Sequence, residues 1–227
     1  MKDSYAEFFN REHISKEQFF EFGLEESIYI SFEKAKAGWN IVKDNVLNNR
    51  LAYIRGYGRN GSGTRLFMEL YGEVLGNKMI QVDPTNNAMP ERVLNSYTSY
   101  RKNIKADSGG LIKIQNYQIS HIFGKTKNPF LFTAPWNIAY IPKIIDPFTG
   151  HEARGELPAQ YTKAFRNKAF ELFGELIEEY NQLIIDLQLK EKANSYIDRL
   201  ENKPGAEKMI KFRADINNEL SRLIREN

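Results

Sequence analysis

Four side chains between positions 121 and 151 have the types and the spacing for proton transfer and metal binding. They are His121, Asn137, Asp146 and His151. A neutral imidazole can take a proton from water near pH 7, and an asparagine amide can hold that imidazole in one tautomer. A carboxylate and a second imidazole can hold a divalent metal ion. We therefore predict a general base at His121, an orienting amide at Asn137 and metal ligands at Asp146 and His151.

The elements around these side chains are predicted to be a strand, a polar loop, a second strand and the approach to a helix. Residues 111–122 are β-rich and end on Ser120-His121-Ile122, and residues 124–129 carry the Gly, Asn and Pro of a turn. Residues 130–140 are apolar and aromatic, which indicates the second strand. A histidine that ends an apolar strand is often a packed, hydrogen-bonded residue, so the prediction of chemistry depends on the spacing.

This order and spacing resemble the ββα-metal nucleases, the HNH group that includes colicin DNases and several restriction enzymes. In that family the catalytic histidine ends the first strand, an asparagine follows before the second strand, and a metal ligand follows at the start of the helix. Here His121 matches the base, Asn137 matches the asparagine, and Asp146 falls at the second metal ligand with His151 just beyond it. The family usually has Asp or His directly before the catalytic histidine, where this chain has Ser120, a poor metal ligand. The resemblance covers residues 111–152.

The resemblance implies an α+β fold, with a ββα-metal hairpin–helix site module on a mostly helical scaffold. It implies a metal-dependent endodeoxyribonuclease that hydrolyses phosphodiester bonds with a histidine base and one Mg²⁺, or another divalent metal, per site. A sequence-specific restriction enzyme that cuts both strands of double-stranded DNA would act as a homodimer on a palindrome. The alternatives are a non-catalytic nucleic-acid-binding protein with a structural His121, and a mainly helical interaction module whose hairpin is core.

A second informative stretch spans residues 51–76. A short β-like run is followed by a Gly-rich loop, and Thr64 is predicted to cap a helix over residues 65–75. A Gly-rich loop that leads into a helix is an anion site by geometry, although a flexible surface turn with solvated arginines has the same composition. Basic residues here and near the hairpin are predicted to contact the nucleic acid. They are Arg55, Arg59, Arg65, Arg101, Lys102, Lys125 and Lys127.

Composition limits the classes of protein. The 227 residues include no cysteine, which excludes disulfides, thiolate metal sites and cysteine nucleophiles and suits the cytoplasm. The net charge of +3 is compatible with nucleic-acid binding without arguing for it. The polar N-terminus predicts no signal peptide, and no apolar run approaches the roughly 20 residues of a membrane span.

We predict a single domain over residues 1–227 with three parts. Residues 1–105 form a helical, DNA-binding part, residues 106–175 the ββα nuclease module, and residues 176–227 the C-terminal helices. Ser15 with Gln18 is predicted to begin one helix, and Pro90 to open another over residues 91–100. The longest helical pattern covers residues 153–200, and a last helix covers residues 206–224.

Overall fold

The computed structural model describes residues 2–56, 62–104, 109–149, 153–201 and 206–226. These residues form eight α-helices, one 3-10 helix and six short strands, which is an α+β architecture dominated by helix. The N-terminal half contains α1 (Ser4–Glu12), α2 (Lys16–Glu25), α3 (Phe32–Leu47), β1 (Ala52–Ile54), α4 (Ser62–Val74), β2 (Ile80–Val82), α5 (Ala88–Tyr97) and β3 (Tyr100–Arg101). The C-terminal half contains β4 (Ile112–Lys113), β5 (Tyr117–His121), β6 (Ile138–Pro142), the 3-10 helix Asp146–Thr149, α6 (Glu156–Asp186), α7 (Leu189–Glu201) and α8 (Ala206–Glu219).

Local capping chemistry explains where several helices begin. Ser15 forms the predicted capping box with Gln18 at the start of α2, so that prediction is confirmed. The predicted cap at Thr64 is wrong, because the chain is already helical at Ser62 and an N-cap residue needs non-helical backbone angles. Helix α5 begins at Ala88, ahead of Pro90, because the buried carboxylate of Asp83 accepts hydrogen bonds from the first backbone amides of the helix.

Three separate two-stranded sheets form, and the antiparallel pair of β5 and β6 is the hairpin predicted around the site. Its register places His121 opposite Ile138 and Tyr117 opposite Pro142. The predicted strand over residues 111–122 is interrupted at Asn116, whose φ of 60° is left-handed, so it divides into β4 and β5. Strands β1 with β2 and β3 with β4 pair in parallel.

The second predicted strand, over residues 130–140, is mostly irregular, and only its end belongs to β6. The aromatic side chains before β6 are buried and pack against partners from α3 and α6. The Trp136 ring lies edge-on to Trp39 at 5.6 Å and tilted against Tyr180 at 6.0 Å. Burial of such large rings contributes about 2–3 kcal/mol each, which outweighs the few strand hydrogen bonds that are given up.

The long helical pattern predicted over residues 153–200 forms two helices. Helix α6 has 31 residues with an interruption at Phe173, and it ends before a turn in which Gln188 has a φ of 50°. Helix α7 follows and packs beside α8. Buried apolar residues from Phe9 to Leu223 form one contiguous core. Among the described residues, no helix has the length and the apolarity needed to cross a lipid bilayer.

Candidate functional site

A small, mainly polar cavity lies beside the end of β5. Its volume is about 240 Å³, and it opens where the hairpin faces the end of β1 and the start of α5. Three of the residues predicted to work together line this cavity: the base His121 and the metal ligand Asp146 from the hairpin module, and the cation Arg55 from the distant end of β1. The residues that line the cavity are Arg55, Asn87, Gln118, Ile119, Ser120, His121 and Asp146.

His121 ends β5 and is only 5% exposed. Its Nε2 lies 3.0 Å from the carbonyl oxygen of Phe132, and the two rings stack with centroids 5.3 Å apart. Because a carbonyl can only accept a hydrogen bond, Nε2 must carry the proton and donate it. The neutral imidazole then has its lone pair on Nδ1, which is the tautomer that can take a proton from water at that nitrogen.

Asn137 occupies a different structural role from the one predicted. Its buried side chain accepts a hydrogen bond from the backbone N–H of Phe123 at 2.9 Å and donates to the carbonyl oxygens of Leu131 at 2.9 Å and Gly124 at 3.4 Å. These bonds join Asn137, which follows the loop over residues 122–136, to the start and to the middle of that loop. The carbonyl of Phe132, which lies next to Leu131 in that loop, orients the imidazole. Asn137 therefore positions the loop rather than the ring.

Arg55 follows β1, and its backbone is tied to the hairpin. The Arg55 N–H donates to the carbonyl oxygen of Thr126 at 2.9 Å, and the next N–H, of Gly56, donates to Asn86 Oδ1 at 2.7 Å. These two bonds join the end of β1 to the hairpin loop and to the turn before α5. The guanidinium is consequently carried on a backbone segment that is fixed relative to His121.

Asp146 begins the 3-10 helix that follows β6. The Asp146 carboxylate interacts electrostatically with Lys102. The Lys102 ammonium lies 5.2 Å from the centre of the Tyr140 ring. The pKa of Lys102 is lowered overall. Burial lowers it most and the nearby cation Lys143 lowers it further, and together they outweigh the carboxylates of Glu91 and Asp146, which raise it. Lys102 is therefore within electrostatic reach of Asp146, and its contact with nucleic acid stays a prediction.

The other basic residues are placed less favourably for the predicted contact with nucleic acid. The Arg65 side chain is 84% exposed and forms an ion pair with Glu69 at 2.7 Å, within one turn of α4. Arg101 donates to the carbonyl oxygens of Thr98 and Tyr100, both at 2.8 Å, so part of its guanidinium is engaged by the backbone. Arg59 and His151 lie outside the described residues.

The Lys125 side chain points towards the end of the C-terminal helix and the Lys127 side chain lies against α4, and this placement differs from the open basic surface that was predicted. The Lys125 ammonium donates to the carbonyl oxygen of Asn218 and to Ser221 Oγ. Lys127 is 7% exposed, its ammonium lies 5.6 Å from the centre of the Phe67 ring, and burial lowers its pKa to about 8. Both lysine side chains therefore hold the hairpin loop against the neighbouring helices.

Two anchoring residues were missed by reasoning from the sequence. Asn128 donates to Tyr180 Oη and to the carbonyl oxygen of Glu219, both at 2.9 Å, and its own Oδ1 accepts from the N–H of Phe130. The Glu219 carboxylate accepts from the N–H of Lys127 at 3.0 Å. Asn128 had a local signal, since it lies before Pro129 in a turn. Glu219 had none, because its partners are far away in the sequence.

The stability of this anchor is expected to depend on pH. Burial raises the pKa of Glu219 from 4.5 to about 7, against the opposing effects of its bond to the Lys127 amide and the charges of Lys125 and Lys127. Between these pH values the folded carboxyl holds its proton more tightly than the unfolded one. The free energy of unfolding should therefore fall, on the order of 2 kcal/mol, as the pH rises from about 4.5 to about 7.

Urea unfolding of the parent and of Glu219→Gln at about pH 5 and about pH 7.5 measures this effect. The glutamine cannot ionise, so the variant should lack this part of the decline in unfolding free energy. Glu12→Gln, at the exposed end of α1, is the matched control and should show the parent's decline. An identical pH dependence in the parent and in Glu219→Gln would contradict the assignment.

The ligand atoms available at the cavity indicate which metal ion it could hold. No group of three or more His, Asp or Glu side chains with metal-ligand geometry occurs within the described part of the chain. Mg²⁺ is usually held through one or two carboxylates, several waters and the phosphates of a substrate. A single carboxylate at Asp146 beside an open polar cavity fits that mode of binding, whereas Zn²⁺ would need at least three protein ligands.

Comparisons with known proteins extend over most of the chain. A family model described as "Uncharacterised protein PM1201" matches residues 30–225. A protein of Pasteurella multocida (strain Pm70), described as "Uncharacterized protein PM1201", is 44% identical over 187 residues, which are 81% of this chain and 80% of that protein. No solved structure matches. All seven residues that line the cavity fall within the segment that the family model matches.

Proposed function

The chain belongs to the PM1201 family, and we propose that it is a metal-dependent endonuclease that hydrolyses phosphodiester bonds in double-stranded DNA. One observation carries the proposal: His121 and Asp146 of the hairpin module and Arg55, from the distant end of β1, line the same cavity. A base, a carboxylate and a guanidinium are the groups that the hydrolysis of a phosphodiester needs in one place.

The proposed reaction begins with a phosphodiester held against Arg55. The Nδ1 atom of His121 takes a proton from a water molecule, and the water oxygen attacks phosphorus while the bond to the leaving oxygen breaks. The Phe132 carbonyl, 3.0 Å from Nε2, keeps the ring in the required tautomer and stabilises the imidazolium that forms. The leaving oxygen takes a proton from a solvent water molecule, and the imidazolium returns its proton to the solvent, so the products are a phosphate monoester and a free hydroxyl.

Asp146 would hold a divalent ion, most simply Mg²⁺, together with the phosphate. Such an ion polarises the phosphate and stabilises negative charge on the leaving oxygen. His151 stays a predicted further ligand. Within this proposal the enzyme is a restriction endonuclease that acts as a homodimer, because two identical sites related by a two-fold axis match the two strands of a palindrome.

Removal of divalent metal is expected to abolish cleavage. Phage DNA incubated with the protein and Mg²⁺ or Mn²⁺ should give discrete fragments on a gel, and the same reaction in EDTA should leave the DNA intact. Re-addition of excess Mg²⁺ should restore the fragments. Fragments that persist in EDTA would remove the metal from the mechanism. Binding without cleavage under every metal condition would favour the non-catalytic nucleic-acid-binding protein.

Arg55→Ala is expected to weaken binding to a labelled DNA duplex by roughly 10-fold or more, because it removes a cation that lines the cavity. Fluorescence anisotropy in EDTA measures affinity without cleavage. The slope of log Kd against log salt should also decrease by about one, since one fewer phosphate is neutralised. Arg65→Ala is the matched control. Its guanidinium is paired with Glu69 at the surface, so the change in affinity should be small. Equal losses in the two variants would place the DNA elsewhere.

A further inference from the structure

A second and much larger recess lies between α2 and α6. Its volume is about 1050 Å³. Helix α2 contributes Glu17, Phe20, Glu21, Leu24 and Glu25, which follow the spacing of a single helix face. Helix α6 contributes Ala164, Asn167, Lys168, Glu171 and Leu172 with the same spacing. The two helices therefore form the walls of a groove, and we call it the α2–α6 groove.

The floor of the α2–α6 groove is apolar. Ile30 and Phe173 are buried beneath it, and Phe20, Leu24 and Phe32 are partly buried around it. Apolar side chains that stay accessible between two helices are typical of a surface that is covered by a partner. Two parallel walls with an apolar floor match the shape of a third helix, which packs at about 8–10 Å from its neighbours.

The rim of the groove is acidic. Glu17, Glu21 and Glu25 stand on the α2 wall and Glu171 stands on the α6 wall. Two of these carboxylates have cationic partners. Glu17 lies 3.9 Å from the Lys16 ammonium. Glu171 lies 3.4 Å from Lys168 and 3.7 Å from the Arg225 guanidinium. Among the described residues that line the groove, the glutamates nevertheless outnumber the single lysine, Lys168. The chain as a whole has a net charge of +3, so the negative rim is a local feature. An apolar floor between acidic edges is complementary to an amphipathic helix with a basic polar face.

We propose that the α2–α6 groove binds an amphipathic, positively charged helix of another protein. The apolar face of that helix lies on Phe20, Leu24 and Phe32, and its lysines or arginines meet the glutamates of the rim. The ten residues of α2 span about 15 Å, so about three turns of a partner helix lie along the groove. This interaction is independent of the cavity at His121, because no residue lines both recesses.

A synthetic peptide of about 14 residues tests this inference. It is built from leucine and lysine, with leucine at the i, i+3, i+4 and i+7 positions, and the comparison peptide has glutamate in place of every lysine. Fluorescence anisotropy with the full chain should show micromolar binding of the basic peptide and no binding of the acidic one. The double variant Glu17→Lys/Glu21→Lys should weaken binding at least about 10-fold, because it reverses the charge of one wall.

Two further variants distinguish binding of the peptide in the groove from nonspecific electrostatic attraction to the protein. Glu12→Lys changes the same charge at the exposed end of α1, outside the groove, and should leave binding nearly unchanged. Ala164→Trp fills the α6 wall and should abolish binding, with the fold checked by thermal melting. The inference fails if the basic peptide does not bind, or if Glu12→Lys weakens it as much as the groove variants do. It also fails if the groove variants convert a dimer into a monomer, since a second copy would then be the occupant.

Discussion

His121→Ala is expected to reduce the rate of DNA cleavage about 1000-fold or more, because it removes the group that takes the proton from the attacking water. The imidazole is held by the Phe132 carbonyl at Nε2 and stacks on the Phe132 ring, so its position and tautomer are set before substrate binds. Initial rates of cleavage with saturating Mg²⁺ measure the effect, and thermal melting shows whether the variant is folded.

Ser120→Ala is the matched control for His121→Ala. Ser120 precedes His121 on β5, is 4% exposed and lines the same cavity, and its hydroxyl has no hydrogen-bond partner among the described residues. Its replacement should therefore change the cleavage rate by no more than a few-fold. Added imidazole should restore part of the activity of His121→Ala, since it can fill the space that the side chain leaves. Cleavage that survives His121→Ala would mean that another group is the base.

Asn137→Ala is expected to lower the free energy of unfolding by about 3 kcal/mol. The variant removes one acceptor and two donor bonds to buried backbone groups of the loop over residues 122–136, and it leaves the N–H of Phe123 and the carbonyl of Leu131 without their partner. Urea unfolding measures the loss. Asn10→Ala, at an exposed position of α1, is the control and should change the stability little.

The same variant distinguishes the two roles considered for Asn137. If the side chain positions the loop, then stability and cleavage fall together, because the Phe132 carbonyl loses its support. If it acted on the imidazole directly, as the sequence pattern predicts, cleavage would be lost in a protein of unchanged stability. The hydrogen bonds favour the first outcome.

Interactions between residues that are near in sequence were predictable. The capping box at Ser15 and Gln18 depends on side chains three residues apart, and it formed as predicted. The position of His121 at the end of a strand also follows from a local pattern of apolar and turn residues, whereas Asn137 just before the partner strand was implied only by the resemblance. The resemblance to the ββα-metal nucleases depends on this spacing, and it is carried by the same short segment.

Local patterns were less reliable where burial competes with them. The aromatic run before β6 has strand composition, yet it forms irregular turns because its rings pack around Trp39 and Tyr180 from several directions. Lys125 and Lys127 have the composition of an exposed basic turn. They are turned inwards because the C-terminal helix supplies acceptors and a carboxylate at Glu219, which lies about ninety positions away in the chain.

The sequence by itself determined the helical scaffold, the hairpin and the chemical types of the candidate site residues, because these depend on side-chain chemistry and on contacts within a few positions. Only the tertiary structure decided that Arg55 shares a cavity with His121 and Asp146, that a backbone carbonyl orients the imidazole, and that α2 and α6 form an acidic groove. Each of these depends on contacts between distant segments. Such contacts are selected by the packing of the whole core, and no local pattern records them.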